Sequence, residues 1–149
     1  MAPAQTVIDA IDAVIEDFNR RRLDLPDGFF DRKTQFVING APFETLLGQS
    51  PTDPLVLMLA RGPAGFRFTA KALQHAIPDA KIERGEITSE PQGLAVQLWL
   101  SGTLRGTAEA VNAVVAIKLK LAAAGHVEIA EAVIDEPTLE KIKQARLRP

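Results

Sequence analysis

Few side chains in this sequence are equipped to move a proton or hold an ion. Cysteine and tyrosine are absent and histidine occurs twice, which excludes disulfide frameworks, thiol nucleophiles, Cys-based zinc sites and phenolic acids. The most informative carboxylate is Glu131. The stretch from His126 to Asp135 alternates, with Val127, Ile129, Glu131 and Val133 in one row and Glu128, Ala130, Ala132 and Ile134 in the other. An acid in the more apolar row is costly to bury unpaired. Enclosed in a pocket, it would be driven toward its protonated form and suited to shuttle a proton. The commoner explanation is structural: a pair with Lys118, Lys120 or Arg105, or a place at a sheet edge.

Other candidates carry a plain reading beside the chemical one. Asn39 offers an amide that can orient a carbonyl or a water, but it precedes Gly40, and Asn-Gly is a turn dipeptide. Trp99, the single tryptophan, could stack on a flat ligand, cover a dimer interface or simply fill the core. Arg105 could clamp an anionic group, although a strand-end surface arginine is commoner. His75 falls about 180° from Phe66 on a helical wheel and is expected in solvent. His126 follows Gly125 in a hairpin turn, with the same expectation. Arg61-Gly62-Pro63-Ala64-Gly65 lacks the spacing of a phosphate-binding loop and reads as a turn. The acidic residues show no cage-like spacing, so neither a metal nor a cofactor is expected.

The elements that must position these residues follow from periodicity. Val7, Ile8, Ile11, Val14, Ile15 and Phe18 form a helical stripe, with Thr6 as N-cap, Asp9 reaching back to it, and Arg20, Arg21 and Arg22 complementing the C-terminal dipole. Pro26-Asp27-Gly28 breaks the chain, and Phe29-Phe30 anchors a short helical turn. Thr34 to Asn39 reads as a strand stopped by Gly40-Ala41-Pro42, and Phe43 to Leu47 as one helical turn. Gln49 to Pro54 is a loop, and Leu55 to Arg61 a second strand. Gly62-Pro63 opens a helix with Phe66, Ala70, Leu73 and Ile77 on one face, ended by Pro78-Asp79. Strands follow over Lys81–Ser89, Leu94–Gly106, Asn112–Ala123 and His126–Asp135, then a short tail helix from Thr138 to about Arg146. Helix, two strands, helix and a run of long antiparallel strands describe an α+β fold, with helices on one face of a curved sheet.

The 149 residues suit one domain, with a core over about residues 6–135 and a tail over 136–149. A formal charge of −2 supplies no field for nucleic acid. The longest apolar run, Leu55 to Ala60, is strand-sized and far short of a membrane helix. The acidic N-terminal helix is unlike a targeting segment, so a cytoplasmic location is the simplest expectation.

Three stretches carry a resemblance to the SnoaL-like polyketide cyclase group of the nuclear-transport-factor-2-like (cystatin-like) superfamily. Leu59-Ala60-Arg61-Gly62-Pro63-Ala64-Gly65-Phe66 resembles the strand that runs through Arg-Gly into the third helix of that family. Ile77-Pro78-Asp79-Ala80-Lys81-Ile82 is similar to its aromatic-Pro-Asp turn. Leu98-Trp99-Leu100-Ser101-Gly102-Thr103-Leu104-Arg105-Gly106 resembles its central strand ending in Gly-Thr-His-x-Gly. The resemblance implies about six strands wrapped around an apolar cone, usually in a homodimer, with an acid on a late strand in the cyclases. It also implies a place for Asn39 near the pocket mouth. The departures matter. Leu104 stands where the motif histidine would, Asn39 stands where ketosteroid isomerase carries an Asp base, and no tyrosine supplies an oxyanion donor. The Asp-Arg-Asp cluster of the epoxide hydrolases has no evident counterpart.

The resulting expectation is a cone lined by Phe36, Leu94, Val96, Leu98, Ile129 and Val133, binding a hydrophobic small molecule. Glu131 would shuttle protons on a carbonyl-bearing substrate that Asn39 positions, with Trp99 and Arg105 as further ligand contacts. The alternative is a non-catalytic ligand-binding or dimerisation module. Dimerisation is suggested by Ala130, Ala132, Ile134, Val114 and Ala116, expected on the opposite sheet face.

Overall fold

The computed structural model describes residues 5–24, 29–42, 61–123 and 125–146. Its elements are α1 (Gln5–Asn19), β1 (Phe30–Ile38), β2 (Ala41–Pro42), α2 (Gly62–Ala76), β3 (Lys81–Glu90), β4 (Gly93–Thr103), β5 (Ala110–Leu121), β6 (Val127–Val133) and α3 (Glu136–Arg146). The six strands form one sheet in the order β2-β1-β6-β5-β4-β3. Among the described strands only β1 and β6 pair in parallel. The architecture is the expected α+β arrangement. The expected turn, loop and strand between Phe43 and Ala60, and the break at Pro26-Asp27-Gly28, lie outside the described residues.

α1 forms because its apolar stripe gives it a face to bury. Ile11 and Phe18 are buried, while Val14 and Ile15 are half-buried. The helix already includes Gln5 and Thr6, and the Asp9 carboxylate accepts a hydrogen bond from the Gln5 amide at 3.0 Å. Its C-terminus closes as a Schellman motif: the Arg22 N–H reaches the Asp17 carbonyl and the Arg21 N–H reaches that of Phe18. The left-handed position, normally glycine, is Arg21 at φ 61°. An arginine is retained there because its guanidinium donates to the carbonyls of Phe18, Pro78 and Ala80, tying the helix end to the turn before β3.

β4 and β5 pair without a break from Gly93↔Lys120 to Thr103↔Ala110. Their strict alternation puts Leu94, Val96, Leu98 and Leu100 under the helices, beside Val111, Ala113, Val115, Ile117 and Leu119. β6 reverses the expected rows. Between the pairs Lys120↔Ile129 and Leu121↔Val127, β5 advances one residue and β6 two. Glu128 is therefore the extra residue of a bulge. Val127 points inward and is fully buried, but the inward row resumes at Ala130 and Ala132, opposite Leu119 and Ile117. Ile129, Glu131 and Val133 consequently lie on the outer face, and Ala130, Ala132 and Ile134 on the inner one.

Three further boundaries differ from the sequence expectation. β1 begins at Phe30 rather than Thr34, with a register shift between Phe30 and Gln35. Buried Thr34 holds that irregular stretch, its hydroxyl donating to the Val127 carbonyl and accepting from the Asp31 N–H. Ala41–Pro42 does not merely stop β1 but pairs back onto Val37 and Ile38. The two-residue connection has Asn39 at φ 50° and Gly40 at φ 81°, the positive pair that a tight hairpin requires. The tail helix begins at Glu136 rather than Thr138, and its Leu139 and Ala145 are buried in the same cluster as Phe18, Ile77 and Leu100.

Candidate functional site

The interior is divided. Toward the start of α1, Ile11, Phe29, Leu94, Val96, Leu119 and Val127 close on one another. Toward its end the sheet and helices stand apart around a cavity of about 310 Å³. The sheet supplies Ile38, Ile82, Leu98, Leu100, Val115, Ile117, Ala132 and Ile134 to its wall. α1 contributes Val14, Ile15 and Phe18, α2 contributes Phe66, Thr69 and Leu73, and α3 contributes Leu139 and Ile142. Two described lining residues are polar, Thr69 and Lys143. The Thr69 hydroxyl is turned back on its own helix, donating to the Gly65 carbonyl at 2.8 Å.

Two asparagines set opposite walls. The Asn39 side chain accepts from the Ile134 N–H at 2.8 Å and donates to the Ile134 carbonyl at 2.7 Å, with a further donation to the Glu136 carboxylate. Asn19 makes the same two-sided contact with Ile82, at 2.8 and 2.9 Å. Each amide imitates a neighbouring strand and fixes the backbone of a cavity-lining isoleucine. Asn39 is thus a structural clip at the hairpin, and its amide is directed at protein backbone rather than at the cavity.

α3 closes the remaining side. Asp135 caps it: its carboxylate accepts from the Thr138 hydroxyl at 2.6 Å and the Thr138 N–H at 3.0 Å. Those two bonds, hydroxyl first, hold the Asp135 carboxyl below its ordinary value of 3.8. Across the molecule, Asp79 is lowered in the same way, first by the Thr103 N–H and then by the Thr103 hydroxyl, with a smaller contribution from the nearby Arg21 charge.

The structure separates the residues singled out by sequence. Leu98 lines the cavity. Leu94 and Val96 face inward but sit in the packed end, and Phe36 is buried in an aromatic group with Phe30 and Phe66 behind the wall. Glu131 is half-buried on the outer face, between Lys118 on β5 and Val37 on β1 in register. Ile129 and Val133 flank it there, because the bulge at Glu128 inverts the row. Lys120 pairs with Glu128, at 3.7 Å. Trp99 lies on the same outer face, 46% exposed, its ring over Gly85. The Arg105 side chain donates to the His75 carbonyl at 2.7 Å, and its backbone N–H to that of Ala76, so it caps the end of α2. His75 is exposed as expected. His126 is half-buried, with Nε2 3.9 Å from Asp31.

Sequence reasoning missed Lys143 and both asparagine clips. Lys143 was detectable, since it follows Leu139 by four residues and so shares its helix face. Among the described residues no group of three or more His, Asp or Glu side chains could hold a metal, and no described helix is long and apolar enough to cross a membrane.

A curved, mostly antiparallel sheet whose helices enclose a hollow defines the cystatin-like, or nuclear-transport-factor-2-like, fold, and this chain has it. No protein-family model matches the sequence, and no curated protein does. Solved structures do match in shape. A protein from Jannaschia sp. CCS1, assigned as a SnoaL-like polyketide cyclase, is 12% identical at a TM-score of 0.67, covering 100% of this chain and 97% of its own. A SnoaL-like polyketide cyclase from Agrobacterium tumefaciens is 19% identical at 0.64, over 91% and 95%. TerC, co-crystallised with polyporic acid, is 11% identical at 0.66, over 93% and 98%.

Proposed function

We propose that this protein binds a hydrophobic small molecule in the cavity between the sheet and the three described helices. One observation carries the reading: a hollow of about 310 Å³ with an almost wholly apolar lining. Apolar space left empty forgoes on the order of several kcal/mol at this size, and the volume falls at the lower end of the roughly 300–1,000 Å³ range of ligand sites. The solved neighbours of the same fold, one of them crystallised with polyporic acid, agree with such a use.

Of the two sequence-based alternatives, binding without acid/base catalysis is the better supported. Among the described lining residues there is neither a carboxylate nor an imidazole. Proton shuttling at Glu131, with Asn39 positioning a carbonyl substrate, would require two side chains that face elsewhere. Titration with the neutral fluorophore N-phenyl-1-naphthylamine tests the proposal. The expected result is saturable enhancement at one site per chain, lost in Ala132→Phe, which fills the hollow. Absence of saturable enhancement in the native protein would overturn it.

The outer sheet face supports a homodimer. Trp99, Val114 and Val133 are exposed there at 46%, 46% and 49%, and Ala116 lies among them. Ala130, Ala132 and Ile134, expected on this face, are replaced by Ile129 and Val133. Sedimentation at micromolar concentration should show twice the chain mass, and Val114→Glu should halve it. A native monomer would remove the dimer and leave the cavity untouched.

A further inference from the structure

We propose that α3 is a gate whose closure the ligand completes. It undocks to admit a hydrophobic molecule, and the molecule, once seated against Leu139 and Ile142, holds it shut. This rests on the reading of the cavity as a small-molecule site and adds how that site is entered and sealed.

α3 is short and poorly equipped to stand alone. Over its 11 residues, Leu139, Ile142 and Ala145 form a narrow apolar stripe at three-residue spacing. A helix of this length is marginal in water without a surface to pack on. Leu139 and Ala145 reach the buried cluster, which defines the docked position. Leu139 and Ile142, however, also line the hollow. Much of the face that should hold α3 down therefore meets unfilled space and forgoes the dispersion contacts of a packed interior.

The described polar ties from α3 to the body lie at the surface. The Lys141 ammonium is 2.6 Å from the Glu109 carboxylate, each side chain about half exposed, and the Asn39 amide donates to the exposed Glu136 carboxylate at 3.0 Å. Solvated contacts of this kind hold weakly. The Asp135 cap bonds to Thr138 of the helix itself, so it favours helical backbone without fastening α3 to the sheet or to α2. The hinge is well placed, because Asn39 grips both backbone groups of Ile134 and confines any swing to the residues beyond it. Undocking takes Leu139 and Ile142 out of the wall, which opens a passage and removes part of the binding surface. A bound molecule touches those two side chains only while α3 is docked, so occupancy shifts α3 toward the closed state.

Two measurements on the full chain test this, with N-phenyl-1-naphthylamine as the probe. In hydrogen exchange without the probe, amides over residues 140–145 should exchange about tenfold faster than those of α2, and a probe concentration ten times its Kd should slow them about tenfold. Exchange in α3 no faster than in α2, or unchanged while the probe saturates, would overturn the gate. The second measurement exploits the absence of cysteine. Glu109→Cys/Lys141→Cys then carries the only two thiols, which propanediyl bismethanethiosulfonate joins, as verified by mass. Joining should slow probe association in stopped flow about tenfold. Reduction with dithiothreitol should restore it, to about two- to threefold above the native rate, since the Glu109–Lys141 tie is gone. Association at the native rate in the joined protein would overturn the gate while leaving the cavity a binding site. Absence of saturable probe binding to the native chain would instead remove the site itself, and the gate with it.

Discussion

The two ends of the interior are built from the same residue types and behave differently. At the packed end Leu94, Val96 and Leu119 meet Ile11, Phe29 and Val127, and Leu94 is only 1% exposed. At the hollow end Leu98, Leu100, Val115 and Ile117, the next residues along the same two strands, line open space. Strand chemistry therefore does not decide which end is filled. The covering elements do: Phe29 and Ile11 close on the sheet at one end, whereas at the other the later turns of α1, with α2 and α3, surround the hollow. Around the hollow the chain is fixed by Arg105 at the end of α2, the Asp135 cap of α3 and the asparagine clips at Ile82 and Ile134.

This contrast can be broken deliberately. The largest effect is expected from Leu94→Ala, which opens a void in a closed region and should cost about 3 kcal/mol in urea unfolding, whereas Leu98→Ala merely widens an existing hollow and should cost about 1 kcal/mol. Equal losses would mean that the two ends are packed alike. Next, Asn39→Ala removes the Ile134 clip and puts alanine at a positive φ, for a loss of about 2 kcal/mol by the same assay. Asn39→Gly should recover part of that through its backbone freedom.

Overfilling sharpens the comparison. Val96→Phe should destabilise by about 1–2 kcal/mol, while Val115→Phe should stay within about 0.5 kcal/mol and abolish fluorophore binding. Acid gives the smallest effect. Because the Asp135 carboxyl is held below 3.8 in the folded chain, its cap is fully present above that value and is lost as the pH falls through the lower folded one. Amide exchange in α3 should therefore quicken in strong acid before that in α1, and Asp135→Asn should flatten the pH dependence. Simultaneous quickening of both helices would show that the cap does not govern the hollow end.

The sequence made α1, α2, β4 and β5 legible because their periodicities run uninterrupted for their whole length. β6 was misread for an identifiable reason. A single extra residue, Glu128, flips the row, and the inward positions beyond it are the small Ala130 and Ala132, outweighed in hydrophobicity by outward Ile129 and Val133. The placement of Glu131 fell with that row. One cue pointed the right way: turned outward, Glu131 meets Lys118 across the strand pair, which spares both charges from burial. The clips could not be read, because an asparagine at a helix end or a hairpin shows only turn preference, and its partner is 63 or 95 residues away. The cavity was expected as a class, but its extent depends on how far the helices stand from the sheet, which no local pattern encodes.

The parallel pairing of β1 with β6 has a consequence for how the chain is made. During synthesis β1 leaves the ribosome long before its neighbour exists, since Asn39 must wait for Ile134, 95 residues later. Such distant closure is entropically late and slow. Until then β1 and its Ala41–Pro42 hairpin present an unpaired edge, and a nascent chain stalled before residue 127 should be a preferred client of holding chaperones.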